Sequence, residues 1–227
     1  MITKIILFLL KKSMAVSIKK FTFNPFQENT YIVHDGENCV IIDPGCFESH
    51  EKEELLLFIK NNNLTPKALL LTHAHVDHVL GCHFVLQNFD VDFYLHEKDL
   101  NTLASVKDYA HVYGFKGYVP PPEPTILLKG GENLIFGEIN FNVFFTPGHS
   151  LGHVVFYDKA NAFVINGDVL FAGSFGRVDL PGGDINILKE SIHQTMFKLP
   201  EETVVYCGHG GETTIGQEKR SNYILQF

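Results

Sequence analysis

Residues 72 to 78 read Thr-His-Ala-His-Val-Asp-His, and no other segment constrains the chain as strongly. Three imidazoles and one carboxylate fall within six consecutive positions, 73 to 78. Neutral imidazole and carboxylate are the ligands of Zn²⁺ and its first-row neighbours. Upstream, Lys67-Ala68-Leu69-Leu70-Leu71-Thr72 is a short apolar run after Pro66, the pattern of a buried strand. Downstream, Val79, Leu80, Phe84 and Val85 recur at helical spacing, which predicts one helix to about Asn88. The four polar residues therefore sit on a strand-to-helix turn whose backbone is fixed on both sides. In a chain still extended, His73 and His75 point one way, as alternate residues do. Asp77 and His78 diverge where the chain begins to coil. One short segment can thus face two neighbouring metal ions. The bland alternative is a solvated, histidine-rich turn.

Four residues cannot close two metal sites, and the chain supplies three more at suitable places. His149 follows a strand in Phe145-Thr146-Pro147-Gly148-His149-Ser150. Asp168 follows the apolar run 162–166 through Gly167, and His209 follows 204–206 between Gly208 and Gly210. Glycine beside each permits close backbone approach and unusual φ. Singly, each is as well explained by capping or core packing; together with the turn they form a set of seven. The charges fit. Two divalent ions bring +4, Asp77 and Asp168 bring −2 and a bound hydroxide −1, leaving +1 to steady a developing oxyanion. That field can lower the pKa of a bridging water from about 15.7 toward about 7. Asp77 and Asp168 are accordingly the expected catalytic carboxylates. Zinc is the expected metal, with iron or manganese as alternatives.

Alternating or apolar runs predict strands at 16–23, 29–34, 39–42, 91–95, 125–128, 139–145, 153–157, 162–166 and, last of all, 204–206. Helices are expected over 51–62, 97–106, 184–199 (capped by Asp184) and 213–223. The stretch 109–124, with four aromatics and three consecutive prolines, reads as a loop, either a plain connection or a substrate lid. Asp43 closes a buried strand just before Pro44-Gly45. It is either a turn former or a group that orients a ligand histidine. Two strand-then-helix halves, each delivering polar residues from strand ends, suggest an α/β chain of two packed sheets with helices outside.

A net charge of −8 with no basic stripe argues against a nucleic-acid surface. Cys39, Cys46, Cys82 and Cys207 show no paired spacing, which points to a reducing cytoplasm. Cys207 could be a ligand near His209, but a small buried hydrophobe is the better reading. Met1 to Lys12 has an apolar centre of only six residues, Ile5 to Leu10, too short to span a bilayer. Residues 1–13 are expected to lie outside the domain, as an extension or a start-site artefact ahead of Met14. Residues 14–227 then form one domain, with no membrane association. The expected partner is a small-molecule substrate; the oligomeric state is not legible.

The motifs NPFQENTYIV, IIDPG, LLLTHAHVDHVLG, FTPGHSLGHV, GDVLFAGSFGR and GHGGETTIGQEK together resemble the metallo-β-lactamase superfamily, from Phe23 to Asn222. Within it the chain is similar to short glyoxalase II-like (hydroxyacylglutathione hydrolase-like) metal hydrolases. The resemblance implies a four-layer αββα sandwich. It assigns His73, His75 and His149 to one metal and Asp77, His78 and His209 to the other, with Asp168 bridging. It also implies attack of a bridging hydroxide on a thioester carbonyl. Asp168 rather than cysteine sets the chain apart from zinc β-lactamases. Full-length glyoxalase II enzymes carry a further helical domain that helps hold glutathione; here eighteen residues follow His209, so the expectation is a single domain without it. Those enzymes place a Lys and a Tyr where this chain has Arg177 and Asp179. Arg177 either binds a substrate carboxylate or pairs structurally with Asp179. A second resemblance, to persulfide dioxygenases, rests on Gly176-Arg177-Val178-Asp179 and implies one Fe(II) and O₂ chemistry.

Overall fold

The computed structural model describes residues 15–227, so the expectation about residues 1–13 lies outside the described residues. Two six-stranded sheets organise what is described. The first runs β1 (Ser17–Phe23), β2 (Glu28–His34), β3 (Asn38–Ile42), β4 (Thr65–Leu70), β5 (Asp92–His96) and β6 (Ile126–Leu128) in spatial order. Its first two junctions are antiparallel and its last three parallel. The second sheet builds on β7 (Asn133–Phe136), β8 (Ile139–Phe145), β9 (Val154–Asp158) and β10 (Phe163–Gly167). Two later strands, β13 (Val204–Cys207) and β14 (Thr213–Thr214), complete it in the order 14-13-10-9-8-7. A small hairpin of β11 (Leu170–Phe171) and β12 (Ser174–Phe175) stands apart.

The period-two pattern of the strands explains the layering. In β2 to β4, Tyr31, Val33, Val40, Ile42, Ala68 and Leu70 pack into the space between the sheets. Their neighbours Ile32, Ile41 and Leu69 face the opposite way, into a cluster with Leu55 and Ile59 of helix α1 (Ser49–Asn61). In the second sheet Phe156 and Ile165 point inward, while Val155 and Val164 meet Leu188 and Ile192 of a helix over Ile185–Gln194. Three apolar clusters between four layers make an αββα sandwich, as expected. Strands buried on both faces need such unbroken apolar runs.

The architecture also places the polar strand ends. β3, β4 and β5 are parallel, so Asp43, Thr72 and His96 emerge at one edge of the first sheet. β8, β10 and β13 run alike, so His149, Asp168 and His209 emerge from one edge of the second. Strand β2 sews the two edges together. Asn29 N donates to Gly208 O at 2.7 Å, Asn29 Nδ2 to Cys207 O at 3.0 Å, and Tyr31 Oη to Cys207 O at 2.6 Å.

Several elements differ from expectation. The single helix to Asn88 is two: α2 (Val76–Val79) and α3 (Cys82–Asn88). At the break Gly81 N donates to Pro44 O at 2.7 Å, and a side chain at Gly81 would collide with Cys46. The crossing chain replaces the helical hydrogen bond. β13 is not the last strand, because Thr213–Thr214 pairs with it before the final helix, Ile215–Ser221. The 109–124 stretch opens with a 3₁₀ turn at Ala110–Tyr113. Asp184 does cap its helix, accepting from Asn186 N at 2.8 Å and Ile187 N at 3.1 Å. Among the described residues no helix is long and apolar enough to cross a membrane.

Candidate metal centre

All seven expected residues converge at the crevice between the two strand edges. Ligand atoms of His73, His75 and His149 lie within 4.8 Å of one another, and so do those of Asp77, His78 and His209. Asp168 stands between the groups. Its carboxylate is 3.5 Å from His149 Nε2, 3.6 Å from His78 Nε2 and 3.5 Å from His209 Nε2.

Outward hydrogen bonds fix which nitrogen faces inward. Thr72 Oγ1 gives its one proton to Asp43 Oδ2 at 2.6 Å, so its 3.0 Å contact with His73 Nδ1 has the imidazole donating. His78 Nδ1 donates to Asp43 Oδ2 at 3.2 Å, His149 Nδ1 to Arg177 O at 2.7 Å, and His209 Nδ1 to Phe26 O at 3.1 Å. Each of these four rings thereby turns its Nε2 to the centre, the arrangement that orients metal ligands. His75 presents Nδ1, 2.8 Å from His149 Nε2.

Asp43 ends the first sheet's central strand and sits behind the His73 and His78 rings. Its backbone is left-handed, with φ +49°. Its carboxylate also accepts from Thr72 N at 2.7 Å. Ligand atoms of Asp43, His73 and His78 are close enough to form a third group, but Asp43 is engaged behind the rings.

The donor set fits a pair of cations. His78 Nε2 and Asp168 Oδ1 are buried with no hydrogen-bond partner, a costly arrangement for polar atoms unless something else meets them. Gly208 lets the backbone pass against Asp168 Oδ1 and the His78 ring, where any side chain would intrude.

The two groups differ electrostatically. Burial, aided by neighbouring imidazoles, pushes His73 well below its ordinary pKa and His75 down to about 3. His149 is lowered by burial too. These rings are neutral, the form that ligates. Burial also opposes charge on His78 and His209, but the Asp77 and Asp168 carboxylates outweigh it. They raise His78 well above its usual range and His209 to about 10. Burial raises Asp168, and the imidazoles of His78, His209 and His149 more than reverse this, leaving it well below the carboxylate range.

Arg177 stands at the rim with its side chain 61% exposed. Its guanidinium forms a bidentate pair with Asp179, at 2.7 Å for both Nε and Nη2. Its carbonyl, not its side chain, reaches the centre, through His149. Cys207 is buried, with Sγ 3.8 Å from Val205 O and outside both groups.

Sequence reasoning missed four supporting residues. Asp99 Oδ2 accepts from Ala74 N and Ser150 Oγ, and Oδ1 from Gly152 N, at 2.9, 3.0 and 2.7 Å. His153 stacks on His73 with ring centroids 4.8 Å apart, and its Nε2 accepts from Asp168 N at 3.1 Å. Glu28 is fully buried 3.9 Å from His78 Nδ1. Thr72 links Asp43 to His73. Only His153 carried a signal, as the second histidine of Gly148-His149-Ser150-Leu151-Gly152-His153.

The model of the metallo-beta-lactamase superfamily matches residues 23–209. The chain is 39% identical over 209 residues to the probable metallo-hydrolase YqgX of Bacillus subtilis, covering 91% of this chain and 96% of that one. It is 36% identical over 212 residues to hydroxyacylglutathione hydrolase GloC of Haemophilus influenzae, covering 92% and 98%. Among solved structures it resembles the BLEG-1 B3 metallo-beta-lactamase, with a TM-score of 0.84, 39% identity and coverage of 93% and 100%. It also resembles TTHA1623 in a di-iron-bound form, with a TM-score of 0.81, 42% identity and coverage of 90% and 98%. With the sandwich, the seven convergent residues and these relatives together, the chain belongs to the metallo-beta-lactamase superfamily and groups with its metallo-hydrolases.

Proposed function

We propose that this protein is a dinuclear metal-dependent hydrolase that cleaves a thioester, as glyoxalase II-like enzymes do. Its substrate class is an S-2-hydroxyacylglutathione or a similar S-acyl thiol. The observation that carries the reading is the pair of three-residue groups meeting at Asp168, together with the near full-length likeness to GloC. His73, His75 and His149 would hold one ion and Asp77, His78 and His209 the other, with Asp168 shared. Zinc suits the imidazole-rich set; iron and manganese suit it also. When bound, such ions polarise a carbonyl oxygen and make water nucleophilic near neutral pH.

The chain's own residues prepare that chemistry. Asp43, Thr72, Phe26 O and Arg177 O keep four imidazoles in one tautomer and one orientation. Asp77 and Asp168 supply negative charge that limits the net positive field. The partial exposure of His209, 28% for its side chain, marks where a small molecule enters. Arg177, exposed and with its carbonyl on His149 Nδ1, would exchange Asp179 for a substrate carboxylate. All four cysteines are free and buried, which accords with a reducing cytoplasm.

The test pairs metal quantification with a substrate panel. Two ions per chain and anaerobic cleavage of S-lactoylglutathione or another thioester support the reading. One iron per chain with O₂ uptake on a glutathione persulfide would replace it with a dioxygenase. Turnover of β-lactams alone would reject thioester cleavage.

A further inference from the structure

We propose that Asp99 is the positioning residue of the group formed by His73, His75 and His149. The inference rests on the dinuclear reading and deepens it. Asp99 is fully buried at the end of the 3₁₀ turn Glu97–Asp99, just beyond β5. It is no part of the seven, and its carboxylate hydrogen-bonds to none of their side chains. Its carboxylate instead grips the backbone of both segments that present the three imidazoles.

Ala74, whose N–H it accepts at 2.9 Å, lies between His73 and His75. Ser150, whose hydroxyl it accepts at 3.0 Å, follows His149. Gly152 N, at 2.7 Å, closes the same loop. A side chain at Gly152 would collide with Asp99, so the contact depends on glycine there. The carboxylate is thus a three-pronged clamp between an edge of the first sheet and an edge of the second.

Other anchors remain on both segments without it. Val154 N donates to Thr72 O at 2.9 Å, and Asp184 N to Gly148 O at 2.8 Å. The first of these bonds joins the two segments directly, so loss of Asp99 loosens the local placement of Ala74 and of Ser150 to Gly152 instead of unfolding them. A shift on the order of 1 Å is enough to spoil a site that needs three nitrogens around one ion. Removing an orienting partner of this kind typically weakens metal affinity by about 10- to 100-fold.

The experiment titrates metal-free protein with cobalt(II), following stoichiometry and the visible absorption of the bound ion. It compares wild type, Asp99→Asn, Asp99→Ala and a distant buried carboxylate variant, Asp35→Asn. Repeating it in an Asp77→Ala background isolates the first group. Asp99→Asn should bind cobalt at that group about 10- to 100-fold more weakly, with an altered absorption band. Asp35→Asn should bind like wild type. If Asp99→Ala does not fold by circular dichroism, the near-isosteric Asn variant carries the test. Equal affinities in wild type and Asp99→Asn would overturn the role of Asp99, as would equal weakening of both groups. A wild type that takes up fewer than two ions would instead fail the dinuclear reading.

Discussion

The two halves of the candidate centre sit side by side and are built on opposite principles. His73, His75 and His149 are buried imidazoles kept neutral by desolvation. Asp77, His78 and His209 form a charged network in which buried carboxylates hold two imidazoles protonated. In the absence of metal, protons serve as the cations of the second half. The first half needs no such substitute, because its geometry is held from outside by Thr72, Arg177 O and Asp99. Outward hydrogen bonds frame both halves, but only the second is also held by charges of its own. They should therefore respond differently to mutation and to pH.

The largest effect should come from Asp168, the residue common to both. Asp168→Ala is expected to lose both metals and essentially all activity, read by elemental analysis and turnover. Retention of either ion at full occupancy would break the comparison. Next, Asp77→Ala should empty only the second group, leaving about one ion per chain. Equal loss of both ions would contradict the partition.

Acidity provides a third and gentler probe. A metal entering the second group must displace the protons of His78 and His209. Affinity there should fall by up to about tenfold for each displaced proton per pH unit below about 10, the elevated pKa of His209. At the first group, with His75 near 3, affinity should stay almost flat through the neutral range. Parallel curves from isothermal titration would erase the distinction. The linked effect on folding has a definite sign. Because its folded pKa is raised, His209 stabilises the metal-free protein fully below its ordinary pKa of 6.5, and that stabilisation is lost as pH climbs through about 10.

Arg177→Ala is the smallest perturbation. It should raise KM for an anionic thioester by up to about fivefold, the scale of an exposed ion pair, with kcat less changed. An unchanged KM would leave Arg177 as the partner of Asp179 and the owner of the carbonyl behind His149.

Much of this centre was legible in the sequence because ligands at strand ends leave a dense local signature. The segment from Thr72 to His78 interrupts an apolar run, and His149, Asp168 and His209 each follow one. The layering was legible too, since strands buried on both faces read as unbroken apolar stretches. The supports were not. Asp99 looks like an ordinary helix-start aspartate, and its three partners are two backbone amides and a serine hydroxyl from distant segments. Glu28 lies just ahead of the expected strand 29–34 and shows no sign of burial until β2 is placed against His78. Two-residue strands such as β11, β12 and β14 carry no periodicity, and β7 is a half-exposed edge. The break at Gly81 depends on Pro44 crossing there, a contact no local pattern encodes.

The seam sewn by β2 has a mechanical corollary. Asn29 and Tyr31 tie the first sheet to the loop that carries His209, while Asp77 and His78 rise from the first sheet itself. The charged half of the centre is thus assembled across the joint between the sheets. A fluctuation that parted the sheets at this edge would pull His209 from Asp77. An ion seated there would act as a rivet through that joint, and the clasp of the two sheets would be strongest while the protein is ready to work.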